Sequence, residues 1–289
     1  MASPSAELSE RVERVLGTPV VEWRRADGGY TPAERWVVQL ADGRSVFVKA
    51  AVDDLTAGWL RTEQRVYGDL RAPFQPTLIG WQDGPRPILV LEDMSAASWP
   101  PPWDEDRVEA VLDALAMVAA TPAPSWLPPL DESAMDLRGW HDVAENPQPF
   151  LALALTGSAW LAAAIRELIG ASEAFVPDGS QVLHLDVRSD NICIRDGHAL
   201  LVDWNHAAVG NARLDVALWL PSLADEGGPQ PHAVLPGAGP EAAVVSGYFA
   251  ARAGRAEIPT APRVRAAQLA QLRQALPWVS RELGLPPLN

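Results

Sequence analysis

Apolar and polar residues alternate in three short runs near the start of the chain, VVEWRR (20–25), RWVVQL (35–40) and SVFVKA (45–50), and a period of two predicts three strands. The step between the second and third, Ala41-Asp42-Gly43-Arg44, contains an Asp-Gly pair that tolerates the backbone of a tight turn, so these two strands should form an antiparallel hairpin. The period then lengthens. Over 55–70, Leu55, Trp59, Thr62, Val66 and Leu70 recur at helical spacing, roughly on one face. An apolar run over 88–91 predicts a further strand, leading into Glu92-Asp93-Met94.

After Met94 the pattern changes. A proline-rich stretch, SWPPPW (98–103), is followed by a helical stripe of Val108, Val111, Leu112, Leu115, Val118 and Ala119, with Asp104 placed to cap its first turn. Helices are also expected over 159–171, 214–220, 242–253 and 264–283, the last kinked at Pro277. A strand-rich front and a helix-rich back define an α+β protein with two lobes, 1–93 and 94–289. No internal repeat is visible.

Composition narrows the function classes. With 289 residues, 48% of them hydrophobic, the chain can bury a large core. Its net charge of -14 argues against a nucleic-acid partner, which needs a basic surface, and favours a cationic small molecule, although such a charge also serves solubility. No stretch approaches the roughly 20 apolar residues that cross a bilayer, and the first residues carry charges where a leader would be apolar; the expectation is a cytoplasmic protein with no membrane contact. The single cysteine, Cys193, excludes an internal disulfide and a cysteine-rich zinc site.

The chemistry is concentrated in QVLHLDVRSDNICIRDGHALLVDWNHAAVGNARLDVALWL (181–220), which contains His184-x-Asp186-x4-Asn191 and, further on, Asp203. Residues 192–194 and 199–202 read as two strands turning at Asp196-Gly197, and antiparallel pairing then brings Asn191 within about one residue of Asp203. An amide oxygen and a carboxylate at one point are hard ligands suited to Mg²⁺, which leaves its other positions to water and phosphate. Asp186 lies on the loop beside them, in position to act as a base.

This ordered set resembles the catalytic loop and metal-binding aspartate of the kinase superfamily, in the version found in aminoglycoside phosphotransferases, where an Asp-Trp pair, here Asp203-Trp204, replaces Asp-Phe-Gly. The resemblance implies a bilobal protein-kinase-like fold with a small antiparallel-sheet front lobe and a larger helical back lobe. It also implies ATP and Mg²⁺ as cofactors and a small-molecule hydroxyl, of an aminoglycoside or amino sugar, as acceptor. By the same resemblance Asp186 takes or orients the acceptor proton, Asn191 and Asp203 hold Mg²⁺, and Asp215 supports the loop.

A kinase lobe should also supply a lysine from its third strand and a glutamate from the following helix. Lys49 and Glu63 stand there, and Lys49 is the only lysine among the 23 basic residues. In a chain so biased towards arginine, lysine survives where a guanidinium would not fit. Gly28, Gly29 and Thr31 fall where the family covers the phosphates with a loop, and Glu92 to Met94 where backbone groups meet adenine. Two departures from the family stand out: Leu185 replaces a frequent glycine and Arg188 a frequent histidine. Arg188 either neutralises charge on the transferring phosphoryl group or forms an ion pair that shapes the loop. His184 reads as a structural hydrogen-bonding residue, and His198 and His206 as ordinary polar ones.

Among 12 tryptophans, Trp126, Trp140, Trp219 and Trp278 could form an aromatic cage for a quaternary ammonium such as choline, although Trp219 and Trp278 lie on apolar helix stripes. Asp142, Glu145, Asp225 and Glu226 are acidic candidates for a cationic acceptor. Two rival readings are a protein kinase and a noncatalytic nucleotide-binding protein. Only 12 positions separate Asp203 from Asp215, too few for a peptide-docking activation segment, and the complete set of Lys49, Glu63, Asp186, Asn191 and Asp203 favours catalysis.

Overall fold

The structure is a computed structural model that describes residues 4–26, 32–130 and 136–288. Helix α1 (Ala6–Leu16) opens on Ser5, whose side chain accepts the Leu8 amide, and it lays Leu8 and Val12 on the sheet. Strands β1 (Val20–Arg25), β2 (Glu34–Leu40) and β3 (Ser45–Ala50) form the expected antiparallel run. Helix α2 (Asp54–Leu70) follows through a reciprocal cap between Asp53 and Thr56, and β4 (Leu78–Gln82) and β5 (Ile88–Glu92) complete a five-stranded sheet in the order β1-β2-β3-β5-β4.

Strand alternation divides this sheet cleanly. Trp36, Val38, Leu40, Val46, Val48, Ile88 and Val90 are buried with α1 in a core of their own. The opposite face, carrying Val37, Phe47, Lys49 and Leu91, looks into the interlobe cleft.

Two features of this lobe differ from the sequence pattern. The buried face of α2 consists of Thr56, Ala57, Leu60, Glu63, Val66 and Tyr67, whereas Leu55 is exposed and Trp59, Thr62 and Leu70 are only partly covered. Apolar periodicity counts a glutamate as outward, and Glu63 is turned inward because Lys49 neutralises it. Neither α1 nor β4 was anticipated. A glycine in LIGWQ weakens the strand signal, yet a side chain at Gly80 would come within 2.6 Å of Val15, so Gly80 is what lets α1 lie on the strand.

Beyond Glu92 come α3 (Glu105–Ala120), capped by Asp104, then α4 (Gly139–Glu145), α5 (Gln148–Leu151) and α6 (Ser158–Glu173). Two small antiparallel ribbons interrupt the helices: β6 (Gln181–Leu183) pairs with β9 (Ala208–Gly210), and between them β7 (Ile192–Arg195) forms a hairpin with β8 (His198–Leu201). Helices α7 (Arg213–Asp225), α8 (Pro231–Val234), α9 (Gly239–Ala253) and α10 (Val264–Glu282) finish the fold. Helical structure continues through Pro277 in α10. The result is the bilobal, protein-kinase-like α+β architecture, and one apolar core runs from Leu60, Val66 and Leu89 of the front lobe to Val111, Leu201 and Leu214 of the back lobe. No described helix is long and apolar enough to cross a membrane.

Helix α9 is the axis of the back lobe, with buried residues around its circumference. It meets α4 at bare backbone: a Cβ at Gly139 would stand 2.1 Å from the Gly247 carbonyl oxygen. Backbone on both sides leaves nothing to rotate away. Gly139→Ala should therefore destabilise the fold by about 2–3 kcal/mol, the range of overpacking in a rigid core, measured as a lowered denaturation midpoint with the far-ultraviolet spectrum retained.

Candidate active site

The loop after β6 is held by buried polar contacts. Asp215, in the first turn of α7, accepts the backbone N–H groups of His184 at 2.6 Å and Leu185 at 2.7 Å, fixing a turn in which Leu185 adopts φ +62°. Burial raises the Asp215 pKa to about 6, against the opposing pull of those two N–H groups. The His184 ring is wholly buried against Trp204, with ring centroids 4.4 Å apart. Its Nε2 lies 3.0 Å from the Val202 carbonyl oxygen, which can only accept, and its Nδ1 lies 3.2 Å from the Asp186 N–H, which can only donate. Those partners define the neutral Nε2–H tautomer. His184 thus braces the loop from inside, and its ring is committed at both nitrogens.

Asn191 ends a single turn of tight helix (Ser189–Asn191). Its amide Nδ2 donates to the Asp186 carbonyl at 2.8 Å and to Asp186 Oδ2 at 2.9 Å, which leaves Oδ1 as the acceptor atom. The Val202 N–H donates to the Asn191 carbonyl at 2.9 Å, so the hairpin brings Asn191 beside Asp203. Asp203 sits at φ +69° with its N–H on the Tyr67 hydroxyl at 3.3 Å. Arg188 pairs with Asp186 at 3.0 Å and with Asp190 at 3.2 Å, the loop-shaping geometry.

From the front lobe, Lys49 Nζ reaches Glu63 Oε1 at 2.5 Å and Asp203 Oδ1 at 2.7 Å, with Lys49 only 4% and Glu63 1% exposed. Burial opposes the ammonium, but the charges of Asp203 and Glu63 more than offset it and its pKa is raised. Burial pushes Glu63 up to about 7 despite Lys49. Asp203 is also penalised by burial, and Lys49 nevertheless holds it well below the usual carboxylate range.

These groups stand at the inner end of a 460 Å³ cleft between sheet and back lobe. Behind Asp186 lies a second hollow of 270 Å³, walled by Asn205, His206, Tyr248, Gln268 and Gln271 among others, and a third of 320 Å³ adjoins it past Arg188. Among the described residues, Asp203 alone lines both the cleft and the second hollow. Oδ1 of Asn191 and the Asp203 carboxylate are the hard oxygen pair that a Mg²⁺ ion completed by phosphate and water would accept.

Glu92 and Met94 line the cleft mouth. The Glu92 side chain is taken up by the Thr77 N–H at 3.2 Å and an ion pair with Arg195, and Met94 is buried with Cys193 and Leu200. Gly28, Gly29 and Thr31 lie outside the described residues. The proposed aromatic cage does not form: Trp140, Trp219 and Trp278 are buried in the core, and Trp126 stacks under Arg65 with its Nε1 donating to Asp69. Asp225 and Glu226 line the third hollow, Asp142 pairs with Arg255 at 2.9 Å, and Glu145 is exposed at the end of α4. Sequence reasoning passed over Tyr67, Tyr248, Gln271 and the cleft arginines Arg24 and Arg35. Only Arg35 had a usable signal, since the Asp-Gly hairpin sets it opposite Lys49.

Sheet, helical lobe and buried Lys-Glu-Asp triad together define a kinase-like phosphotransferase. Residues 22–258 match the model of the phosphotransferase enzyme family, and the chain belongs to that family, which includes the aminoglycoside phosphotransferases. Solved structures share the fold at low identity. A spectinomycin phosphotransferase in complex with ADP and spectinomycin aligns with TM-score 0.62 at 13% identity, over 98% of this chain and 99% of its own. An aminoglycoside phosphotransferase from Alicyclobacillus acidocaldarius aligns with TM-score 0.56 at 16% identity, over 98% and 96%. A type I macrolide 2'-phosphotransferase gives 0.55 at 16%, over 98% and 95%. No curated protein sequence matches significantly.

Because the His184 ring is held neutral, burial lowers its pKa from 6.5 to about 4. The unfolded chain takes up a proton near pH 6.5 and the folded ring does not, so this residue's contribution to stability is present above pH 6.5 and is lost as pH falls towards 4. The ring carbon resonances of His184 should accordingly titrate near pH 4 by NMR, well below the ordinary histidine value of 6.5.

Proposed function

We propose that this chain transfers the γ-phosphoryl group of ATP, with Mg²⁺, to a hydroxyl of a small molecule in the cytoplasm. The supporting observation is that Lys49, Asn191 and Asp203 converge with Asp186 where the nucleotide-sized cleft meets the hollow behind it. We place the lobe boundary at 93/94, so that Glu92 and Met94 form the hinge against which adenine lies. Lys49 holds the α- and β-phosphates, and Asn191 Oδ1 and Asp203 hold the metal. Bound MgATP supplies a polarised, well-oriented phosphoanhydride. Asp186 accepts the hydroxyl proton of the acceptor, its carboxylate aimed by Asn191 Nδ2 and Arg188. Catalysis is then mainly positioning and electrostatics.

For the acceptor we favour an amino sugar or aminoglycoside. Its hydroxyl would occupy the hollow beside Asp186, and an ammonium the adjoining one near Asp225 and Glu226. The dispersal of the tryptophans into the core counts against a choline-like acceptor.

The test is ADP release with MgATP across a panel of aminoglycosides, amino sugars and amino alcohols. Acceptor-dependent turnover should fall by roughly 10²–10⁴ in Asp186→Ala with nucleotide affinity kept, the usual share of a positioned base. Turnover that survives the substitution would remove Asp186 from the mechanism. Lys49→Arg should also lose at least about tenfold in kcat/KM, because the broader guanidinium cannot occupy the 2.5 and 2.7 Å contacts of the buried ammonium.

A further inference from the structure

The cleft face of the front sheet is ordered in rows, because residues paired across antiparallel strands share a face. One row, read from β2 through β3 to β5, is Val37, Phe47 and Leu91, all apolar, and it ends beside Glu92 at the cleft mouth. The row two residues further in begins with Arg35 on β2, paired with Lys49 on β3. Arg35, like Lys49, lines the cleft. From β2 to β5 the outer row of this ceiling is thus apolar, with Arg24 of β1 at its edge opposite Val37, while the inner row sets two cations side by side.

The inner half needs that second cation. Lys49 is shared between Glu63 and Asp203, so the triad by itself carries one net negative charge if all three are ionised. A nucleoside triphosphate brought to it is strongly anionic, and even with a divalent ion bound it keeps about two negative charges at neutral pH. Lys49 alone leaves the inner end of the cleft repulsive to polyphosphate. The field of the Arg35 guanidinium reaches this site, acting on Lys49, Glu63 and Asp203 together. Its Nη1 also donates to the Ala33 carbonyl at 3.1 Å, near the start of β2.

We propose that Arg35 is a second phosphate-binding cation of the nucleotide site, paired across the sheet with Lys49 and contacting the polyphosphate of the bound nucleotide. This rests on the reading of the cleft as a nucleotide site and adds to it a residue that the kinase motif does not supply. Guanidinium geometry suits the role, since its fork can donate two hydrogen bonds to one phosphate group while the compact ammonium of Lys49 remains locked between carboxylates.

The assignment separates phosphate from base recognition, and that contrast is the test. Dissociation constants for MgATP and for adenosine would be measured by calorimetry on the full chain, in wild type, Arg35→Gln and Arg35→Lys. Arg35→Gln should weaken MgATP by roughly ten- to hundredfold, the scale of a lost charged hydrogen bond, with adenosine changed by less than about twofold and Arg35→Lys recovering part of the loss. Equal weakening of both ligands would make Arg35 a brace of the strand and overturn the proposal, as would MgATP affinity unchanged in Arg35→Gln. If Arg35→Gln fails to fold, Arg35→Lys decides alone: a selective, smaller loss for MgATP supports the contact, and an equal loss for both ligands removes it. Wild-type protein that binds MgATP no better than adenosine would defeat the nucleotide-site reading itself, and this proposal with it. A wild-type preference for MgATP that persists in Arg35→Gln defeats only the present inference.

Discussion

The buried contact among Lys49, Glu63 and Asp203 is the constraint on which the rest of the site depends. It joins three elements distant in the chain: β3, the middle of α2 and the end of the β7–β8 hairpin. Apolar packing also joins the lobes, but packing is nondirectional and tolerates small slips. An ammonium between two carboxylates does not. Desolvating three ionic groups is expensive, and such clusters are weak sources of stability. Its retention is better explained by what it positions. Removing one member strands the others, an effect typically of about 3–5 kcal/mol, so the geometry is enforced by the penalty for leaving it.

The back lobe answers with a scaffold that uses almost no charge. Asp215 takes up two backbone N–H groups, neutral His184 links the Asp186 amide to the Val202 carbonyl, and Asn191 spends its amide nitrogen on Asp186. Each contact fixes backbone next to a functional side chain and leaves that side chain free at one edge. Leu185 and Asp203 meanwhile adopt positive φ without being glycine. Such conformations usually cost about 1–3 kcal/mol and persist where surrounding contacts over-determine them. Here Asp215 holds the first, and Tyr67 and Lys49 the second.

How far the sequence could be read follows from the range of each interaction. The β2–β3 hairpin, the Asp104 cap and the pairing that sets Asn191 beside Asp203 were legible because local turn and cap chemistry sets their geometry. The face of α2 was not legible from apolar spacing, which counts Glu63 as outward although its pairing with Lys49, expected from the resemblance, turns it inward. Strand β4 was hidden by Gly80, whose purpose appears only when α1 is laid across it. The tryptophan cage failed for a related reason: an aromatic residue on a helix stripe has the same spacing whether it faces a ligand or the core, and Trp140, Trp219 and Trp278 face the core. Glu92 likewise sits in the expected place with its side chain committed to Arg195, a partner more than 100 residues away.

The family match spans one half of the proposed site and stops short of part of the other. The matched segment, 22–258, contains both ceiling rows, the triad and the whole catalytic loop. The hollow beside Asp186 is closed on its far side by Val264, Ala267, Gln268 and Gln271 of α10, which begins after that segment ends. The proposed donor side therefore consists of residues fixed by hydrogen bonds to one another, where a substitution disturbs several partners at once. The α10 wall is different: among the described residues, the side chain of Gln268 accepts from Arg265, one turn earlier on its own helix, so the wall can change without disturbing the loop. A scaffold divided in this way could keep one reaction while exchanging acceptors, and under the proposed function the polar composition of the α10 wall, rather than the motif, would set the choice of acceptor.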